Sequence, residues 1–181
     1  MPPAGPGPMV PGRLAAQPAD SKPLYKVRWG MLLHERFNDS DAADLFKEAL
    51  AKDPANAGAD LGLAMISAER FSIEASAYAN KAIALDPKLA AAHEFLADLE
   101  LTNDDREAAS AEADKAIAIA PDDALDATAL HAALDLLSDH TPDAWIVKIQ
   151  AINAHYGEAY SRSARQLELH YRYEDAAAYY R

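Results

Sequence analysis

Six histidines (His34, His93, His131, His140, His155 and His170) and 29 Asp+Glu would carry any proton-transfer or metal chemistry in this 181-residue chain. Cysteine is absent, which removes thiolate nucleophiles, thiolate metal sites and disulfides together. A helical zinc motif needs two histidines four residues apart, because that spacing puts both rings on one face. His93-Glu94 opens such a motif, but Ala97 stands where the second histidine is required. The acidic pairs Asp104-Asp105 and Asp122-Asp123 precede helical runs, where capping of free backbone N–H groups explains them without catalysis. Gly58 and Gly62 lie four apart inside a helical pattern and form no phosphate-cradling loop. Ser, His and Asp are scattered with no nucleophile-turn motif. The expectation is no catalytic residue, no metal ligand and no cofactor; the chain reads as a non-enzyme.

Charge narrows the partners. The formal net charge is −12, with 17 Lys+Arg, and nucleic-acid binding rests on basic side chains neutralising phosphates. No nucleic-acid partner is expected. The acidity is local: residues 90–123 carry ten acidic and two basic side chains. Such a zone is either a solvated face or an attractor for a basic segment. No apolar run reaches the roughly 20 residues that cross a bilayer, so no membrane span is expected. The stretch from Met9 to Ala16 is interrupted by Pro11, Gly12 and Arg13, so it lacks the apolar core of a secretory signal. A cytoplasmic location is favoured, with export after loss of an upstream signal as the alternative.

The elements that must position any site follow from alanine and proline. Alanine occurs 42 times, often at spacings of three and four, and it is the residue that costs a helix least. No stretch alternates apolar and polar residues over a strand length, so the expected class is all-α. Seven of the eleven prolines fall in the first 23 residues, with Gly5, Gly7 and Gly12. Residues 1–22 are therefore expected to be a disordered Pro/Gly-rich leader. Pro54, Pro87 and Pro121 are spaced by 33 and 34 residues, each after a helical run. That period marks a repeat, because proline cannot continue the helix it follows. Polar breaks near Ser40, Ser72 and Asp104 or Asp105, all plausible N-caps, split each unit into two helices. A single helix pair cannot bury its own apolar face, so the units must stack.

These residues resemble the tetratricopeptide-repeat (TPR) family, whose unit places small residues at positions 8, 20 and 27, an aromatic at 24 and proline at 32. A unit starting at Pro23 supplies Trp29, Gly30, Ala42, Phe46, Ala49 and Pro54 at positions 7, 8, 20, 24, 27 and 32. One starting at Ala57, a residue short in its turn, supplies Leu63, Ala64, Ala75, Ala79, Ala82 and Pro87. A third from Ala90 supplies Leu96, Ala97, Ala109, Ala113, Ala116 and Pro121. Residues 124–156 form a degenerate fourth unit, with His131 where Gly or Ala belongs, Thr141-Pro142-Asp143 opening its second helix and Gly157 ending it. Residues 157–181 form a truncated fifth. Ala176 to Arg181 does not read as a polar capping helix, so the sequence reads as a fragment. Trp29, Phe46, Tyr78 and Phe95 are expected in the core.

The resemblance implies a right-handed α-solenoid over 23–181 that acts as a scaffold. Its groove would bind an extended or helical segment of a partner protein through Val27, Met31, His34, Leu61, Met65, Glu69, Glu94, Asp98, Leu101, Thr128 and Asp135. By that mapping the groove is apolar at its amino end and acidic beyond, which suits a basic partner segment. Val27 and Met31 occupy positions where some relatives clamp a C-terminal carboxylate, so acidic tails are not expected ligands. Two alternatives stand beside this one: a helical arm of a larger enzyme whose catalytic domain follows Arg181, and self-association through the unfinished last repeat.

Overall fold

A computed structural model of the chain describes residues 22–179. The Pro/Gly-rich leader, apart from Lys22, and the last two residues lie outside the described residues. Among those described there are ten α-helices and no strand. They are α1 (Pro23–His34), α2 (Asp39–Lys52), α3 (Ala57–Glu69), α4 (Glu74–Leu85) and α5 (Ala90–Thr102), followed by α6 (Arg106–Ile119), α7 (Leu125–Leu137), α8 (Asp143–Ile152), α9 (Glu158–Leu169) and α10 (Tyr173–Tyr179). Odd and even helices pair as hairpins, and each of α2, α4 and α6 also packs on the odd helix that follows. The all-α solenoid of helix pairs is thus what the chain forms. None of these helices is long and apolar enough to cross a membrane.

The same turn closes every hairpin. Phe37, Phe71, Asp104, Asp139 and Tyr171 all adopt positive φ, between 54° and 63°. In each case the next N–H reaches back to a carbonyl five residues earlier: Asn38 to Leu33, Ser72 to Ser67, Asp105 to Glu100, His140 to Asp135 and Arg172 to Leu167, at 2.8–2.9 Å. This is the six-residue bond of a Schellman-type helix end, built here without glycine. Between hairpins a different device recurs. The carboxyls of Asp53 and Asp86 and the amide of Asn153 each accept the N–H two residues on, a side-chain turn that redirects the chain after the helix stops.

Capping differs in detail from the sequence-based expectation. Asp105 does cap α6, accepting from Ala108 N–H at 3.0 Å, whereas Asp104 is the left-handed residue before it. Ser40 lies inside α2, which already begins at Asp39. Ser72 Oγ accepts from Glu74 N–H at 3.2 Å, but it lies two residues before α4, with Ile73 in the cap position. Pro142 immediately precedes α8 rather than opening it. Gly157 precedes α9; the stop of α8 is Asn153.

The core is made of alanine-sized contacts. Ala42, Ala49, Ala75, Ala79, Ala82, Ala109, Ala113 and Ala116 are all at or below 2% exposure, so the helices approach closely at each crossing. One large ring interrupts this series. Phe46 of α2 is fully buried between Gly30 of α1 and Gly62 of α3. A Cβ on Gly30 would come within 2.6 Å of the ring, and one on Gly62 within 2.3 Å. Tyr78 and Phe95 are half-buried against the core, but Trp29 is 37% exposed. That corrects its expected place in the interior: the slot between the first two units is already filled by Phe46.

Candidate functional site

The helix ends of α1, α3 and α5, with α9, enclose a groove of about 560 Å³. Its wall is apolar (Met65, Ala68, Phe95 and Leu99), and its rim carries His34, Glu69, Asp98 and Arg165. Phe71 and Ile73, which also line it, are 96% and 95% exposed. Four of the eleven residues anticipated for a groove meet here: His34, Met65, Glu69 and Asp98.

The other seven do not line it. Val27 and Leu61 are buried, and half-buried Met31 joins both of their clusters. Leu101 is fully buried with Ala164 and Leu167 of α9. Thr128 is fully buried and its hydroxyl donates to the Ala124 carbonyl at 2.8 Å. Leu101 and Thr128 therefore offer no surface to a partner, a correction that follows from where α9 lies. Glu94 accepts the Ala127 N–H at 3.2 Å. Asp135 sits half-buried, 4.0 Å from His140 Nδ1.

The end of the chain decides how much groove is open. Helix α9 packs on α7 and reaches α5, instead of stacking on α8 as a regular fifth unit would. Gln166 Nε2 donates to Asp98 at 2.8 Å, and Ser163 Oγ donates to the Ala129 carbonyl at 3.3 Å. Arg172 binds the Leu136 carbonyl and the carboxylates of Asp139 and Asp175, while His170 stands 3.5 Å from Asp104. The acidic stretch expected to meet a partner is thus partly engaged by the protein's own last hairpin. Sequence reasoning missed Arg165, Phe71, Phe95 and Leu99. The only signal for Arg165 and its neighbours was the amphipathic pattern of α9, with Ala164 and Leu167 on one side.

His131 explains why the fourth unit departs from the others. Its ring is buried and stacks on Trp145 of α8, with centroids 4.4 Å apart and planes at 11°. Its Nε2 lies 3.1 Å from Asp114 of α6, so an imidazole fills the crossing where alanine would bring helices together. Burial pushes its pKa below the ordinary histidine value, and Asp114 opposes this only in part. The unfolded chain therefore binds the proton more readily than the folded one. Stability should be fully present above about pH 6.5 and fall as pH drops toward the depressed folded value. Urea midpoints at pH 7.5 and 5.5 test this: the wild type should lose more on acidification than His131→Gln.

Successive helix pairs, five like turns and alanine crossings every 33–34 residues define one architecture. The chain has the tetratricopeptide-repeat fold. Solved TPR-type structures bear this out. PilF of Pseudomonas aeruginosa superposes with a TM-score of 0.69 at 18% identity, covering 87% of this chain and 73% of that one. PilW, a type IV pilus biogenesis factor, gives 0.68 at 20% identity, with 87% and 74% covered. A thermophilic TPR protein of Thermus thermophilus gives 0.67 at 17% identity, with 87% and 88% covered. No protein-family model matches the chain, and no curated protein matches it significantly. The likeness is one of fold: an array of stacked helical hairpins.

Proposed function

We propose that this TPR scaffold is non-catalytic and binds an extended or helical segment of a partner protein in the open half of its groove. The observation that carries the reading is the groove itself: an apolar wall of Met65, Phe95 and Leu99 beside a charged rim that includes Glu69. Adaptable methionine and aromatic surface suits contact with a partner's apolar side chains. Glu69, which is exposed, and the nearby carboxylate of Asp39 favour a basic residue flanking that apolar anchor. The acidic contribution comes from Asp39 and Glu69 at the amino half, because Glu94 and Asp98 are bonded within the fold.

Partners captured by the wild-type chain and identified by mass spectrometry provide the probe. Met65→Lys combined with Glu69→Lys should weaken each groove-bound partner by more than tenfold. Val147→Lys, on the exposed face of α8, should leave capture intact. Unchanged affinity for every captured partner in the double variant, with helical content preserved, would falsify the proposal.

A further inference from the structure

We propose that His34, Asp39 and Glu69 form a binding site for one divalent transition-metal ion at the mouth of the groove. The three side chains come from three successive elements: the last residue of α1, the first of α2 and the last of α3. One donor atom from each lies within 4.8 Å of the other two. His34 Nδ1 is 2.8 Å from Asp39 Oδ1, and its Nε2 is 3.8 Å from Glu69 Oε1. A single ion takes one of the two ring nitrogens, and ligand atoms held at about 2.0–2.2 Å from it stand roughly 3.4 Å apart, so side-chain shifts on the order of 1 Å bring the three donors around it.

The donor set selects the ion. One imidazole with two carboxylates is of intermediate softness, suited to Zn²⁺, Co²⁺, Fe²⁺ or Mn²⁺, whereas Ca²⁺ and Mg²⁺ prefer oxygen alone. The charges also favour an added cation. Carboxylate oxygens of Asp39 and Glu69 lie within 4.8 Å of each other, and a dication between them offsets their repulsion. Among the described residues no Lys or Arg makes an ion pair with either carboxylate. Arg70 and Arg165 are the nearby cations acting on them; both are exposed, so water and salt screen their opposition. With three protein ligands, further coordination positions remain for water or for a donor from whatever enters the groove.

The test uses tag-free protein stripped of metal and titrated calorimetrically with ZnCl₂, then with MgCl₂ and CaCl₂. One Zn²⁺ per chain should bind, with Mg²⁺ and Ca²⁺ at least tenfold weaker. Binding should release protons, and its affinity should fall between pH 7.5 and 5.5, because the metal competes with protons for the same donors. His34→Ala, Asp39→Asn and Glu69→Gln should each weaken Zn²⁺ at least tenfold, while His155→Ala leaves it unchanged. Circular dichroism and gel filtration establish that each variant is folded; Asp39→Asn and Glu69→Gln keep side-chain shape if the histidine variant does not fold. Absence of Zn²⁺ binding at millimolar concentration, or binding untouched by the two carboxamide variants, overturns the proposal.

Discussion

Gly62→Ala should destabilise the chain by a net of about 1–2 kcal/mol, because overpacking so tight an interior costs about 2–3 kcal/mol. The added methyl would stand 2.3–2.5 Å from three atoms of the Phe46 ring. That ring has little room to retreat, because even a Cβ placed on Gly30 would meet it at 2.6 Å. Alanine's better helix propensity returns only about 1 kcal/mol. The net loss should lower the melting temperature by roughly 2–8 °C for a domain of this size. Phe46→Leu supplies the control: combined with Gly62→Ala it should cost less than the sum of the two, since both changes act on one slot. A Gly62→Ala protein as stable as the wild type would show that α1 and α3 separate freely, contrary to the close packing described here.

Leu167→Ala should free the last hairpin without unfolding the rest. Leu167 is fully buried with Leu101, Ala164 and Leu130, and removing such a side chain costs about 2–5 kcal/mol. In a linear repeat array each unit is stabilised by its neighbours, so a loss at one end stays near that end. Hydrogen exchange should show α9 and α10 losing protection while α1 to α4 keep theirs. The same variant should uncover Asp98 and Leu101, enlarging the groove toward α7. A uniform loss of protection along the chain would mean that the solenoid unfolds as one unit and that α9 is integral to it.

The candidate site was only partly legible. His34, Met65, Glu69 and Asp98 were reached because a repeat fixes which helix positions recur on one face. Leu101 and Thr128 were assigned to that face by the same rule and proved internal. The rule holds only where each hairpin stacks on its predecessor, and α9 breaks it by lying on α7 and α5. Arg165, at the groove's end wall, comes from more than sixty residues beyond Asp98 in sequence, a distance at which no local pattern speaks.

Local chemistry settled the period, the all-α class and the hairpin units, because proline placement and alanine spacing act within a turn or two of the chain. His131 already marked the fourth unit as irregular, since an imidazole cannot occupy a methyl-sized crossing without displacing a helix. How it was accommodated, by stacking on Trp145 and facing Asp114, needed three helices assembled around it. The ring slot at Phe46 likewise required Gly30 and Gly62 to converge from separate helices. Spacing along the chain decides which elements form; the extent of open groove was set by long-range packing, which depends on shapes meeting across the fold.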